Sequence, residues 1–453
     1  MKSSNQRILF IMLSGIYFIT SNILAQNNVA LTNKLYDEIQ SRLNQDYAHL
    51  ELLYKHLHAN PELSFHEEKT AARIAQELKN LDFEVTSNVG GHGFVGVMKN
   101  GKGPTVLIRT DLDALPVEEN TGLKYASKIR TKDDQGNEVG VMHACGHDVH
   151  MTVFVGTARL LSQLKNQWHG ALVMIGQPAE ETGAGAKAML EDGLFTKFPR
   201  PDYCLALHSN ASLPAGKVGI CEGYALANVD FVDLKIFGVG GHGAYPHTTK
   251  DPIVIAAQIV LALQTIVSRE IKPVEPAVVT VGSIHGGTKH NIIPEEVDLQ
   301  LTLRSYSDQV RNQTIEAIKR ISKGIALAAG ISEDRLPTLK VREGFIPATY
   351  NDPELTRRIA KAMRNLLGDE NVLKVEPVMG GEDFGRFGRV NPKIPISIFW
   401  LGTVEPKLVA ESLQKGTPLP SLHSSIFAPV PTPTLKTGVK AMSAAVLDLL
   451  QTE

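Results

Sequence analysis

A short segment, His143-Ala-Cys-Gly-His-Asp148, places a thiol and an imidazole two residues apart, and both groups bind metal ions. Further donors follow apolar runs, and the complete set is Cys145, His147, Glu181, His208 and His423. Five sulfur, nitrogen and oxygen donors are too many for one tetrahedral ion and suit two ions that share a water. Glu180 stands beside one donor and is free to act as a general base. These residues predict a two-metal hydrolase.

Each donor taken alone also has a structural explanation. Cys145 and His147 would fit a buried thiol next to a hydrogen-bonded histidine. Glu180 and Glu181 would fit an acidic pair at the start of a helix, where the helix dipole favours carboxylates. An apolar strand and a proline precede this acidic pair, however, and they favour a functional turn at a strand end.

Two neighbours of the cysteine-histidine pair have predicted supporting roles. Gly146 allows the backbone to turn so that both side chains face one point. Asp148 is expected to hold the adjacent imidazole in one tautomer. For His208 and His423, the alternative to metal binding is a hydrogen-bonded histidine of the protein core.

The chain has 453 residues, enough for more than one domain, and a formal net charge of −2. It contains no basic tract, so neither a nucleic acid nor an anionic membrane is expected as a partner. Residues 1–25 have the features of a secretory signal peptide: a basic start, an apolar core from Ile8 to Ile19, and a cleavage site before Gln26. The core is short for a membrane span, although an uncleaved anchor is the alternative. We expect an exported protein, periplasmic or secreted and soluble.

An oxidising compartment would allow Cys204 and Cys221 to pair. The alternative is two buried free thiols, which we favour because both cysteines lie in apolar, strand-like runs. Cys145 is then left without a disulfide partner, as a metal ligand should be.

Apolar strands alternate with helical segments over 26–227, which indicates an α/β catalytic domain whose mixed sheet is flanked by helices. The candidate residues fall just past strand ends, where sites of α/β sheets form. Over 228–344 the order β-α-β-β-α-β instead predicts an inserted ferredoxin-like α+β domain, a lid or dimerisation domain. The α/β pattern returns over 345–453, so the catalytic domain is predicted to be discontinuous.

Together these segments resemble the M20 metallopeptidase family, and within it the amidohydrolase subfamily of hippurate, N-acyl-amino-acid and auxin–amino acid conjugate hydrolases. The similarity spans essentially the whole mature chain. Its motifs are His-Ala-Asn-Pro-Glu-Leu-Ser (58–64), Arg-Thr-Asp-Leu-Asp-Ala-Leu-Pro (109–116), Met-His-Ala-Cys-Gly-His-Asp (142–148), Gln-Pro-Ala-Glu-Glu (177–181), Gly-His-Gly-Ala-Tyr-Pro-His (241–247), Asn-Ile-Ile-Pro (291–294), Gly-Glu-Asp-Phe (381–384) and Leu-His-Ser (422–424). The resemblance implies that the five donors hold two divalent ions and that Glu180 is the general base and acid.

The resemblance also implies roles outside the donor set. Asp113 matches an aspartate behind the metal ligands. His242 matches a lid histidine that stabilises the oxyanion in the partner subunit's site, which implies a homodimer through the lid domain. Asn291 and Arg304 match residues that bind the carbonyl and the carboxylate of the substrate. The alternatives are a loop histidine for His242 and an exposed structural arginine for Arg304.

The chain departs from the family pattern in three places. At Asp111 the wider family has a metal-binding histidine; His147 takes that role in the amidohydrolase branch, so Asp111 is not counted as a ligand. The segments 129–139 and 402–422 are extended loops and are expected to border the mouth of the pocket.

The predicted activity is hydrolysis of a small-molecule N-acyl amino acid to a carboxylic acid and a free amino acid, through a metal-bridging water activated by Glu180. A thiolate with imidazoles suits zinc, whereas the carboxylates leave manganese, cobalt or nickel open. The enzymatic alternative is a periplasmic dipeptidase or carboxypeptidase. A non-catalytic module that binds metal or peptide is the alternative of another class.

Overall fold

The computed structural model describes residues 34–451, so the predicted signal peptide lies outside the described residues. The helices are α1 (34–59), α2 (Glu68–Lys79), α3 (His147–Gln163), α4 (Gly185–Glu191), α5 (Leu194–Lys197), α6 (Pro252–Thr265), α7 (Asp308–Ala328), α8 (Pro353–Leu367), α9 (Gly385–Gly388), α10 (Pro406–Lys415) and α11 (Pro431–Leu450). The strands are β1 (Glu84–Ser87), β2 (Phe94–Asn100), β3 (Thr105–Asp111), β4 (Arg130–Lys132), β5 (Glu138–Gly140), β6 (Gly170–Gln177), β7 (Tyr203–Pro214), β8 (Val218–Ile220), β9 (Gly223–Leu226), β10 (Asn228–Phe237), β11 (Gly241–His242), β12 (Ala277–Gly286), β13 (Ile292–Ile293), β14 (Glu296–Ser305), β15 (Thr338–Val341), β16 (Thr349–Asn351), β17 (Val372–Lys374) and β18 (Ile396–Val404).

Eight strands form one mixed sheet in the order β1-β2-β6-β3-β7-β18-β8-β17. Its side chains alternate between two cores: Phe94 and Ile108 face the longer helices, while Val95 and Leu107 face the shorter ones. This alternation follows from the two-residue period of a strand, and both faces are apolar because helices cover both. We call this sheet with its helices the large unit.

The four central strands β6, β3, β7 and β18 are mutually parallel. Their carboxyl ends therefore meet at one edge of the sheet, where the polar segments that follow them converge. This edge is the part of the fold that assembles the candidate site.

A second sheet, antiparallel in the order β12-β14-β10-β15, is built wholly from strands between residues 228 and 341. With α6 and α7 on one face it has the β-α-β-β-α-β order of a ferredoxin-like unit. We call it the small unit. The large sheet takes strands from before and after it, which confirms the predicted fold class: a discontinuous α/β unit that carries an inserted α+β unit.

Capping side chains start three of the longer helices where the sequence indicates. Asp251, Ser307 and Asp352 each accept a hydrogen bond from a backbone N–H of the first turn of α6, α7 and α8, respectively. These bonds satisfy donors that a helix start otherwise leaves free. Proline follows two of the caps, at the first helical position where its ring is favourable.

By length and composition alone, Pro252–Glu270 is apolar enough to cross a membrane, although a single such helix is weak evidence. Ile255, Ile259 and Leu263 on its inner face pack in the core of the small unit. Leu261 on its outer face is 73% exposed, and Val254 is also exposed. Exposed apolar patches of this kind are typical of interaction surfaces.

Two expectations for local structure need correction. The segment 402–422 is not a continuous loop, because it contains α10, whose first helical residue is a proline. The segment 129–139 forms the hairpin of β4 and β5 and lines a cavity of about 670 Å³ together with the region around Lys69.

All three cysteines are free thiols, so Cys204 and Cys221 do not pair.

Candidate metal centre

The five predicted donors reach one place from four different parts of the fold. Cys145 and His147 lie at the amino end of α3, Glu181 follows β6, and His208 is on β7. His423 arrives from the segment between α10 and α11, and its backbone N–H donates to Ala144 O at 2.8 Å. The parallel strands thus supply a common edge, and the long final segment returns to it as predicted.

The donor atoms are mutually close. Cys145 Sγ lies 3.5 Å from His208 Nε2 and 3.3 Å from His423 Nε2. Glu181 bridges the cluster, since its Oε2 is 3.5 Å from His423 Nε2 and its Oε1 is 3.8 Å from His147 Nε2. These separations are those of ligands around shared ions.

The backbone holds two of the imidazoles so that Nε2 faces the cluster. His147 Nδ1 lies 2.8 Å from the carbonyl oxygen of Asp113, and His208 Nδ1 lies 2.8 Å from that of Ser209. A carbonyl only accepts, so each Nδ1 donates its proton; in the neutral imidazole the lone pair then lies on Nε2, the atom that faces the cluster. The expectation that Asp148 orients the His147 ring was wrong: Asp148 Oδ2 instead contacts His58 Nδ1, at 2.6 Å.

The residues fit two divalent ions. Within the described chain, His147 Nε2, Glu181 Oε1 and Asp113 Oδ1 are buried without a hydrogen-bond partner. Unpaired buried polar atoms are costly and rare, so atoms grouped in this way indicate a ligand site. The mixture of one thiol, three imidazoles and carboxylates suits zinc and its neighbours in the first transition series.

The electrostatics of the cluster lead to the same conclusion. Burial, together with the Glu181 and Glu180 carboxylates, raises the pKa of the Cys145 thiol well above its ordinary value. Burial also raises the pKa of Glu181 to about 7. Acidic groups crowded in a buried cleft ionise only when cations offset their charge, which bound metal ions do.

Glu180 lies at the rim of the donor cluster, with Oε2 3.9 Å from His147 Nε2. Burial raises the pKa of Glu180 well above its usual range, and the charges of Glu382 and Glu181 raise it further. A carboxyl group with a raised pKa, next to the candidate metal ligands but outside the five-donor set, is suited to accept and return a proton.

Two backbone positions in the site adopt the left-handed region. Gly146 has φ +82°, and a Cβ at this position would lie 2.6 Å from Ser209 Oγ, so the turn between the first two donors requires glycine. His423 has φ +64°, an uncommon conformation for a residue with a side chain. Its ring is 54% exposed, which leaves the cluster open to solvent on that side.

A buried ion-pair network lies beneath the donors and was not predicted. Arg109 Nη1 lies 2.7 Å from Asp111 Oδ2, and Nη2 lies 2.9 Å from Glu382 Oε1 and 3.3 Å from Asp383 Oδ1. The other oxygen of Asp111 is 2.7 Å from His150 Nδ1. Both oxygens of Asp111 therefore have partners within the chain.

A second network involves His58, in the last turn of α1. Its Nδ1 lies 2.6 Å from Asp148 Oδ2 and its Nε2 lies 3.0 Å from Glu119 Oε1, with all three side chains buried. Burial lowers the pKa of His58, but these two hydrogen bonds outweigh burial and raise it to about 10. His58 is therefore an imidazolium that ties Glu119 to the first turn of α3.

The small unit carries the remaining predicted residues, and the single chain does not bring all of them to the donor cluster. His242 and Asn291 are exposed, on or beside the short β11–β13 ladder, and His242 Nδ1 accepts from Ala244 N at 3.0 Å. Arg304 on β14 does approach the large unit: its Nη1 lies 3.4 Å from where a Cβ of Gly381 would be.

Known proteins share this chain's sequence and fold. The family model Peptidase family M20/M25/M40 matches residues 107–417. Thermostable carboxypeptidase 1 of Saccharolobus solfataricus is 39% identical over 389 residues, which are 85% of this chain and 91% of that protein. Hippurate hydrolase of Campylobacter jejuni is 38% identical over 334 residues, 73% of this chain and 82% of that protein.

The fold has solved counterparts as well. The structure of a dinuclear metal-binding peptidase of the M20 family from Bacillus subtilis matches with a TM-score of 0.72 at 28% identity, over 90% of this chain and 99% of that one. Because the family model matches more than half of the sequence and the relatives align over most of their length, the chain belongs to peptidase family M20/M25/M40, a family of metal-dependent hydrolases of amide bonds.

Proposed function

We propose that this protein is an exported amidohydrolase that cleaves N-acyl amino acids to a carboxylic acid and a free amino acid. The observation that carries the proposal is the position of Glu180 beside the donor cluster, next to residues that can hold two ions. The similarity to a hippurate hydrolase supports this substrate class, since its name describes an N-acyl amino acid hydrolase. Export rests only on the signal-like residues 1–25.

We assign the ligand roles to Cys145, His147, Glu181, His208 and His423. When bound, two divalent ions would polarise the amide carbonyl and acidify a water. Zinc suits the thiolate and imidazoles, whereas manganese, cobalt and nickel remain compatible with the carboxylates. Asp113 supports this set from behind, because its carbonyl oxygen orients His147 and its Oδ2 accepts from Glu181 N at 2.9 Å.

Glu180 would take the proton from the attacking water and deliver it to the amide nitrogen as the C–N bond breaks. Burial and the neighbouring carboxylates raise the pKa of Glu180, so this carboxyl holds a proton more readily than an exposed one, as a group that accepts and returns a proton must. Arg304, half-buried beside Gly381, offers a cation to the substrate carboxylate, and Asn291 offers an amide to the substrate carbonyl.

We propose that the enzyme is a homodimer through the small unit and that His242 acts in the partner's site. The outer face of α6 is apolar and exposed, and the neighbouring edge strand β12 presents the exposed Ile284. Such an edge joined to its copy would continue the sheet and cover the apolar face. His242 would then stabilise the oxyanion across the interface, a contribution of about 3 kcal/mol for one such donor.

One observation favours a second candidate, a carboxypeptidase: the relative with 39% identity bears that name. The two activities differ in the group on the acyl side of the bond, an acyl group in one case and a peptide in the other. Dipeptide and tripeptide hydrolysis with no turnover of acyl amino acids would favour this candidate.

The deciding experiment measures amine release by the protein lacking residues 1–25 from a panel of N-acyl amino acids and dipeptides. It is run as purified, after chelation, and after adding Zn, Mn, Co or Ni. We expect metal-dependent release from acyl amino acids, and a fall in kcat of about 100-fold or more for Glu180→Gln with both metals retained. A Glu180→Gln protein with full metal content and near wild-type activity would overturn the assignment of the base.

A further inference from the structure

Buried carboxylates anchor both sides of the turn that carries Glu180. The backbone N–H of Glu181 donates to Asp113 Oδ2 at 2.9 Å, and the backbone N–H of Ala179 donates to Glu67 Oε1 at 2.7 Å. Glu180 lies between these two hydrogen bonds. The second anchor comes from a residue 112 positions earlier in the chain, to which the proposed mechanism gives no task.

Glu67 does not cap the helix that it precedes. It occupies the position before α2, where a short polar side chain usually caps the helix, but its side chain makes no capping bond. Glu62 provides that contact instead, through Oε2 and the backbone N–H of Thr70 at 2.8 Å. Glu67 is completely buried, and a buried carboxylate is costly unless it is hydrogen-bonded. The hydrogen bonds that Glu67 makes are therefore what stabilises its carboxylate in the interior.

The backbone that Glu67 holds is strained. Ala179 has φ +50°, in the left-handed region that costs a residue with a Cβ about 1–2 kcal/mol. Phe65 has φ +61°, and its N–H donates to the same Oε1 at 2.8 Å. One carboxylate oxygen thus stabilises two left-handed residues and links the segment before α2 to the residue that precedes Glu180.

We propose that Glu67 is a positioning residue for catalysis: it fixes the left-handed turn at Ala179 and thereby sets the direction in which Glu180 points. This inference rests on the proposed function of Glu180. The hydrogen bonds of the Glu67 side chain go to two backbone N–H groups and to none of the five donors, so its effect on Glu180 passes through the backbone. The Oε1 atom of Glu67 needs to accept, not to carry a charge, because both of its partners are backbone N–H groups.

Three variants separate positioning from simple structural support. Glu67→Ala removes the acceptor, and we expect kcat to fall roughly 10- to 100-fold while KM and metal content stay within about two-fold, as a displaced catalytic group predicts. Glu67→Gln keeps the oxygen and should restore kcat to within about three-fold of wild type. The matched control is Glu77→Ala, because Glu77 is also buried on α2 but pairs with Arg73 and His49; its kcat should not change.

A second-site change tests the mechanism itself. Glycine adopts the left-handed region without strain, so Ala179→Gly added to Glu67→Ala should recover part of the lost kcat. A role of Glu67 in packing alone would give no such recovery. If Glu67→Ala does not fold, Glu67→Asp provides the measurement, since it withdraws the oxygen by one methylene and should lower kcat to an intermediate value.

A folded Glu67→Ala or Glu67→Asp protein with wild-type kcat would overturn the inference, as would a loss confined to KM or to metal content. Failure of the proposed function would give different results: no turnover of acyl amino acids in the substrate panel, or near wild-type activity of Glu180→Gln. If Glu180→Gln abolishes activity and Glu67→Ala leaves kcat unchanged, Glu180 remains the proposed base and only the positioning role of Glu67 is refuted.

Discussion

Arg109 and Glu382, 273 residues apart in sequence, form a fully buried two-point ion pair. Arg109 Nη2 lies 2.9 Å from Oε1 and Nη1 lies 3.3 Å from Oε2 of the carboxylate. The pair joins β3 to the segment before α9, directly beneath the candidate metal centre. A guanidinium suits this place because it remains charged when buried and presents its donors in a fixed fork.

Replacement of this arginine should destabilise the fold strongly. Arg109→Met leaves Asp111, Glu382 and Asp383 buried without their cation, and we expect the free energy of unfolding to fall by about 3–5 kcal/mol. The control is Arg130→Met, whose pair with Glu118 is exposed and should contribute less than about 1 kcal/mol. Denaturant unfolding measures both, and equal effects would contradict a special role for the buried pair.

The cysteines offer a direct test of the metal ligands. Cys145→Ala removes a proposed ligand, so we expect bound metal to fall from about two ions per chain to one or fewer, with loss of amide hydrolysis. Cys204→Ala removes an equally buried thiol that lies in the apolar core of the large unit, and its metal content should not change. Elemental analysis of both purified proteins measures the number of metal ions per chain, and full metal content in Cys145→Ala would exclude Cys145 as a ligand.

The His58 network predicts a dependence of stability on pH. Its folded pKa of about 10 lies above the ordinary value of 6.5. The stabilisation is therefore fully present below pH 6.5 and is lost as the pH rises to about 10. Unfolding of wild type and His58→Gln at pH 6, 8 and 10 should show a difference in free energy that shrinks with rising pH. A constant difference would mean that His58 is neutral in the folded protein.

The exposed face of α6 predicts the oligomeric state. Leu261→Glu puts a charge on the proposed interface, so we expect the dimer to dissociate and kcat to fall at least ten-fold as His242 is lost from the partner's site. Leu413→Glu on α10 is the control, because Leu413 is 82% exposed but belongs to the large unit. Sedimentation and activity are measured together; a fully active Leu261→Glu monomer would refute the shared site.

Complementation tests the same point without disrupting the interface. Glu180→Gln and His242→Ala homodimers should each have low activity. After subunit exchange at equal concentration, half of the dimers pair one chain of each kind, and one of their two sites regains both groups. Activity should then return to about a quarter of wild type. No recovery after demonstrated exchange would mean that His242 acts within its own chain or not at all.

Sequence reasoning reached the donor residues because their chemistry is local. Cys145 and His147 are metal-binding types separated by one residue, and Glu181 follows an apolar strand that ends at a proline. Parallel strands bring their carboxyl ends to one edge, so residues far apart in sequence could be expected to meet there. The fold class with two units was predictable for a similar reason, because the spacing of apolar residues along the sequence indicates which segments are helices and which are strands.

The partners of buried charges were not predictable in this way. Asp148 looked like the natural support for the neighbouring His147, yet it binds His58, 90 residues earlier, while a backbone carbonyl orients the metal-site ring. Glu67 directly precedes α2, and its side chain reaches the turn before Glu180. Such choices depend on which side chains the packed strands and helices bring within about 3 Å, and no local pattern encodes that distance.

The amino-acid sequence by itself therefore determined which residues are candidate metal ligands, which residue is the candidate base, and which two kinds of sheet occur and in what order. Only the tertiary structure decided the contacts: both oxygens of Asp111 have partners, His58 is paired with two carboxylates, and His242 is exposed on the small unit. The physical reason is that composition and periodicity act over one or two turns of chain, whereas burial and charge pairing are properties of the assembled interior.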